Sequence, residues 1–312
     1  MRELARRPWF GPLVALLALY VLFSAISPQT FLGATNLMTM ARQTVVVAIG
    51  SIGMTYVIIL GGIDLSVGSA VALTTVVVAR ALQSGLPPLA AVSVGVLMAA
   101  LTGFVNGALV SGLRITPFIV TLGTMSLLRG AAKGLSGEQK IDANPRGIDA
   151  WMTAPESGWF PAGVWIALLA AGVAALVLRS TVFGRHLVAT GSNEQTARLC
   201  GVPVTRVRIL VYTIAGALAG LAGVLEFATL TVGDPTDSIG LELEVIAAVV
   251  IGGASLAGGQ GSIVGAMVGA LLMTEIKTGC THIGLPNWVQ EILTGAIIVV
   301  AVALDRVRKP RD

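Results

Sequence analysis

The sequence is poor in charge: Asp, Glu, Lys and Arg together make 12% of its 312 residues. A soluble domain carries about 25% charged residues, so a water-facing surface cannot be assembled from this composition. Lysine is scarcest among the charged residues, with Lys133, Lys140, Lys277 and Lys309 the full set. None of the four completes the G-x-x-x-x-G-K-[ST] pattern that cradles nucleotide phosphates, so any ATP hydrolysis belongs to another chain. The two cysteines, Cys200 and Cys280, and the two histidines, His186 and His282, form no metal-type spacing. No nucleophile–base pairing is evident, which leaves a membrane enzyme without a motif. The net charge of +4 is spread among apolar runs, as for anchors at a membrane surface, and gives no basic face for nucleic acid.

What the chain has in abundance is apolar length. Hydrophobic residues make 55% of it, with 38 glycines, and mean hydropathy is +0.87. Runs of about 20 apolar residues recur, enough to cross a hydrocarbon core, and glycine lets membrane helices approach closely. The class expected is all-α and polytopic, a single domain over 1–312. Ten segments are predicted, near 10–27, 44–60, 66–83, 88–111, 116–133, 161–178, 207–230, 243–256, 261–279 and 288–304. The third and eighth are short enough to be broken or re-entrant. The run from Trp9 to Ile26 exceeds a signal peptide's apolar core, and Ser27-Pro28-Gln29 is a poor cleavage site, so it is read as an uncleaved first span.

Lys and Arg set the expected orientation. Arg2, Arg6, Arg7, Arg114, Arg179, Arg185, Arg198, Arg206, Arg208, Arg306, Arg308, Lys309 and Arg311 cluster on one side, read as cytoplasmic with both termini inside. Cys200 and Cys280 then fall on opposite sides, which argues against a disulfide. Residues 134–160, with Trp151 and Trp159, form an outer loop, read either as an interfacial connector or as a partner-docking surface. Asp234, Asp237, Glu242 and Glu244 make an acidic outer patch, either solvated or facing basic residues of a partner. His186 and His282 are isolated and receive no role.

The inner loop, 180–205, carries the sharpest local pattern. Ser192 with Gln195 three residues on reads as a capping box. Glu194 and Arg198 are spaced i,i+4, Gly201 suits a left-handed helix end, and Pro203 forbids continuation. About two helical turns are predicted, too short to persist unsupported. The two halves also echo each other: Ile59-Leu60-Gly61-Gly62-Ile63-Asp64-Leu65-Ser66 and Val250-Ile251-Gly252-Gly253-Ala254-Ser255 each interrupt apolar segments. Paired Gly-interrupted segments mark a substrate path at a repeat interface or close helix packing. Asp64 is read either as a helix cap or as a direct contact for solute. Glu226, Glu275 and Glu291 lie near span ends and are read either as interfacial or paired, or as groups with a transport role. Asn106, Thr116, Thr121 and Thr124 offer hydrogen bonds to neighbouring helices or to a passing solute.

The Gly191–Gly201 loop and Gly61–Ser69, with Asn106-Gly107, Thr116–Thr124, Ala247–Gly253 and Leu256–Gly261, resemble the permease subunits of ribose-type ATP-binding-cassette sugar importers. The similarity spans roughly residues 30–305. It implies a ten-span fold of the type II importer kind, with pseudo-repeated halves, in the bacterial inner membrane. It implies a dimer with a second permease subunit, two ATPase subunits, a periplasmic sugar-binding protein, surrounding lipid, and no cofactor. Gly191, Asn193, Glu194, Ala197, Arg198 and Gly201 would couple to the ATPase. Asp64, Ser66, Asn106, Thr116, Phe118 and Thr121 would line the path of a monosaccharide. An ion-coupled secondary transporter is the competing reading, with Asp64 as its one strong site.

Overall fold

In the computed structural model, which describes residues 9–154 and 160–308, thirteen helices carry the chain. They are α1 Phe10–Ile26, α2 Pro28–Phe31, α3 Ala34–Ile59, α4 Val67–Gln83, α5 Pro88–Gly112, α6 Pro117–Ser136, α7 Ala162–Ser180, α8 Val182–Ser192, α9 Glu194–Leu199, α10 Val204–Leu230, α11 Leu241–Ile251, α12 Ile263–His282 and α13 Asn287–Arg308. Among the described residues five helices (α3, α5, α7, α10 and α12) are long and apolar enough to cross a membrane, and shorter apolar helices accompany them. Trp159 lies outside the described residues.

Each of the ten predicted segments overlies a helix, with two informative departures. Helix α3 begins at Ala34, ten residues before the predicted start at 44. Its first turns contain Asn36, Thr39, Arg42 and Gln43, which lower the hydropathy of that stretch without ending the helix. Asn36 is buried and donates to the Phe31 carbonyl at 2.8 Å, and Gln43 accepts from Thr278 on α12 at 3.3 Å. The second departure is α11. Its eleven residues rise only about 17 Å, roughly half a hydrocarbon core. The preceding stretch, 231–240, runs back along α4 as irregular chain. Asp234 N–H donates to Thr75 at 3.2 Å, and Gly68 packs against the Ser238 carbonyl and the Glu242 carboxylate. Non-helical backbone at membrane depth is tolerated where protein surrounds it. The predicted segment 243–256 is therefore a half-span.

The core gathers around α4 and the part of α3 from Thr44 to Ile59, where most residues are buried, with α5, α10, α11 and α12 packed about them. Helices α5 and α10 meet through two small-residue stripes, Gly103/Gly107 and Gly216/Gly220. A methyl on Gly216 would strike the Ala99 carbonyl oxygen, so only glycine permits this approach. At one end of the bundle the loop after α6 forms a two-residue strand, β1 Ile141–Asp142, paired antiparallel with β2 Val232–Gly233. Trp151 in that loop is half-buried against the core. At the other end lie Arg114, Arg179, Arg185, Arg198, Arg206 and Arg208, here called the arginine end.

The acidic patch at the Lys140 end is bonded within the protein. Lys140 pairs with Asp234 at 3.0 Å and Lys277 with Glu244 at 2.6 Å. Arg129 donates to the carbonyls of Pro235 and Asp237 at 2.9 and 2.7 Å. The Asp234 carboxylate also accepts from the backbone N–H and the hydroxyl of Thr236, at 2.8 and 2.7 Å. These ties pin the re-entrant stretch to α4, α6 and α12. His282 has a structural place, its ring against Phe31 and its nitrogens 3.1 Å from Thr30 and 2.9 Å from Asn36.

Candidate coupling and translocation site

Two chain breaks organise the arginine end, and they share one geometry. Helix α3 ends with Gly61 in the left-handed region at φ 85°, where Gly61 N–H donates to Ile58 and Gly62 N–H to Val57. Helix α11 ends likewise at Gly253, φ 93°, with Gly253 N–H donating to Val250 and Ala254 N–H to Val249. Both are helix stops that satisfy terminal carbonyls and need a residue without a β-carbon. The sequence echo between the halves thus corresponds to the same kind of helix stop at both breaks, a turn also found at Gly85, Gly137, Gly201 and Gly284.

After the first break, Asp64, 3% exposed, accepts from both the backbone N–H and the hydroxyl of Ser66, at 2.8 and 2.6 Å. Helix α4 starts one residue later. The carboxylate therefore caps the approach to α4 by holding Ser66, not by reaching into the helix's first turn. Ser66 is also reached by Asn106 of α5 at 3.2 Å, and Asn106 accepts from Thr124 of α6 at 2.6 Å. Thr121 donates to the Ile63 carbonyl at 3.1 Å. Asp64, Ser66, Asn106 and Thr121 thus come together as a buried network tying the break to two neighbouring helices. Thr116 and Phe118 are not part of it. Thr116 is exposed at the N-terminus of α6, and Phe118 points out from that helix, half-exposed.

A carboxamide presents the same acceptor oxygen. Asp64→Asn should therefore keep the Ser66 bonds and most transport, while Asp64→Ala leaves two buried donors unpaired and should cost about 1–3 kcal/mol. Thermal melting of the purified variants alongside uptake checks this. A normally melting Asp64→Asn protein with no transport would assign the charge a direct role.

The loop between α7 and α10 is almost wholly helical. Thr181 caps α8, accepting from Gly184 N–H at 3.2 Å. The cap of α9 is Asn193, whose side chain accepts from Thr196 N–H at 2.9 Å. This corrects the expected Ser192 cap: Ser192 closes α8, its hydroxyl bonded to the Val188 carbonyl. Gly201 is left-handed at φ 81° and ends α9 as predicted. Glu194 meets Arg198 at 2.6 Å, and also Arg208 of α10 at 2.7 Å, a partner the i,i+4 pattern does not reveal. Ala197 is buried beneath the short helix, whereas Leu199 is 89% exposed at its tip.

Gly191 closes the arrangement. Its α-carbon lies against the Ile59 carbonyl oxygen, and a β-carbon there would also sit 2.8 Å from the Gly259 nitrogen. Gly259 N–H in turn donates to Ile59 at 2.8 Å, and Gly258 packs on the Gly191 carbonyl. The loop after α3, the loop after α11 and the end of α8 therefore meet at one contact. Sequence reading put Gly191 in the coupling segment but held no sign that it touches both breaks, because the contacts join residues far apart in the chain.

Burial alone would raise the Glu194 carboxyl, but the Arg198 bond and the Arg208 charge outweigh it and hold the group below the ordinary glutamate range. A depressed carboxyl contributes stability above its unfolded value, about 4.3, and loses it as pH falls through the folded value. The tie between α9 and α10 should hold from pH 8 down to about 4.3 and weaken only below that. Glu194→Gln should loosen α9 by up to about five-fold in amide exchange, since half-exposed pairs contribute at most about 1 kcal/mol. Hydrogen exchange over residues 190–201 reads this.

The geometry defines a class first: a multi-pass helical membrane protein with two glycine breaks joined to a capped, protruding loop helix. The family follows from comparison. Residues 36–302 match the model of the branched-chain amino acid transport system / permease component family, and the chain belongs to that family. It is 39% identical over 301 residues to the ribose import permease protein RbsC of Escherichia coli, covering 94% of this chain and 92% of that one. It is 33% identical over 300 residues to the L-arabinose ABC transporter permease protein AraH of Azospirillum brasilense, covering 96% and 88%. It is 35% identical over 293 residues to the autoinducer 2 import system permease protein LsrC of Yersinia pseudotuberculosis, covering 94% and 83%. No solved structure matches.

Proposed function

We propose that the chain is the membrane-spanning permease of an ATP-driven importer that brings a monosaccharide into the cytoplasm, with the arginine end facing the cytosol. The observation that carries the mechanism is the contact of Gly191 with Ile59 and Gly259. Helix α9 protrudes with Leu199 uncovered, a shape suited to a groove in a separate ATPase subunit. Motion imposed on α9 passes through Asn193 to α8, and from Gly191 to the breaks after α3 and α11. Those breaks begin α4 and precede α12, so a helix in each half of the chain is moved at once. The partners are then a second permease subunit, ATPase subunits and a binding protein that delivers the sugar. The ribose and arabinose permeases among the relatives support a pentose-sized solute.

The chain performs no chemistry in this scheme. The Asp64 network serves as a latch that keeps the first break rigid against α5 and α6, so displacement is transmitted instead of absorbed. The relatives named above are import or ABC transporter permeases and lend the ion-coupled alternative no support. Reconstitution into liposomes with the ATPase and binding protein tests the proposal. ATP-dependent sugar accumulation is expected, and accumulation driven by a proton gradient alone, without ATPase, overturns it.

A further inference from the structure

A cleft opens at the arginine end, with a volume of about 520 Å³, between the turn joining α5 to α6 and the Glu194 face of α9 and α10. Arg114, Arg198 and Arg208 line it, with Glu194 as the carboxylate among its lining residues. Three guanidinium groups against one carboxylate leave the cleft two positive charges in excess. Thr116 also lines it, at the N-terminus of the twenty-residue helix α6. There the Phe118 amide has no intrahelical acceptor, and the aligned dipoles favour negative charge. Ser111 is also among the lining residues, and its hydroxyl oxygen is buried without a hydrogen-bond partner.

Guanidinium forks, a hydroxyl with no partner and a free helix N-terminus are the donor set that tetrahedral oxyanions take. We infer that this cleft is a binding site for a phosphate group, carried either by a soluble phosphate ester or by an anionic lipid headgroup. The volume accommodates such a group together with several waters. Arg198 and Arg208 are also the two partners of Glu194. A bound phosphate competes with Glu194 for both and changes how α9 is held to α10. That consequence rests on the reading of α9 as the coupling element, whereas the binding itself does not.

The test uses the purified protein in phosphatidylcholine nanodiscs, with radiolabelled inorganic phosphate as the soluble probe. Native mass spectrometry comparing retention of phosphatidylglycerol with phosphatidylcholine is the lipid arm. Arg114→Gln is expected to weaken binding of whichever probe binds by at least ten-fold, and Arg114→Lys to stay within about three-fold. Arg179→Gln, at the same end but outside the cleft, should leave binding unchanged. Binding of phosphate alone identifies a soluble ligand, and selective retention of phosphatidylglycerol alone identifies a lipid. The inference is overturned if neither probe binds wild type. It is equally overturned if Arg114→Gln melts normally and binds as wild type does, or if its one effect is loss of ATPase association. Should Arg114→Gln fail to fold, Arg198→Gln provides the same readout.

Discussion

Gly191→Val is expected to abolish coupled transport, lowering uptake more than ten-fold while the protein still inserts. A side chain at this position lands on the Ile59 carbonyl oxygen and displaces the Gly259 N–H from it. The neighbours are backbone atoms, which cannot rotate aside as a side-chain tip does. Overpacking of this kind costs about 1–3 kcal/mol, and losing the buried Gly259–Ile59 bond adds about 1–3 kcal/mol. That strain falls where the loop after α3, the loop after α11 and α8 meet, so it separates the elements proposed to move together. Gly172→Ala on α7 is the control, because a β-carbon there meets open space. Uptake measured in proteoliposomes alongside ATPase activity distinguishes the outcomes. Continued ATP hydrolysis with lost uptake is the expected result. Wild-type uptake by Gly191→Val would remove the junction from the mechanism.

Ala197→Pro carries the second large effect, and it acts on the lever instead of the junction. Ala197 N–H donates to the Asn193 carbonyl at 3.0 Å, a bond proline cannot make. Its ring would also clash with that carbonyl, at a cost of about 3 kcal/mol or more. Helix α9 has only six residues and no reserve of further turns. Its breakdown should release ATPase subunits on co-purification and cut uptake at least ten-fold, with the spans intact by proteolysis and melting. A variant that retains both ATPase binding and uptake would show that α9 is not the element the ATPase grips.

The two substitutions differ in a useful way. Gly191→Val should leave the ATPase bound and uncoupled, while Ala197→Pro should lose it. If both release the ATPase, the junction and the lever form one folding unit, and transmission through Gly191 cannot be separated from docking.

Much of this was legible in the residues. Apolar run length placed all ten segments, because a hydrocarbon core demands a minimum stretch of apolar side chains whatever the packing. Gly201 and Pro203 marked the end of α9, since left-handed backbone and a missing N–H are local requirements. Glu194 and Arg198 paired as spaced, four residues apart on one helix. Local signals misled where a tertiary contact supplied what they assumed absent. The second segment was predicted to start near 44, yet α3 begins at Ala34, where α2 and α12 supply partners for Asn36 and Gln43. Ser192 had the capping-box spacing, but α8 runs through it and Asn193 takes the cap.

The sequence by itself determined a membrane-embedded helical bundle with two glycine breaks and a capped loop helix, because hydropathy, helix stops and caps are properties of neighbouring residues. Tertiary structure alone decided that α11 is a half-span and that Arg208 joins the Glu194 pair. It alone placed Asp64 under Ser66 and brought both breaks onto Gly191. Each of these is a meeting of residues distant in the chain, and no local pattern of side chains encodes where two helices will cross.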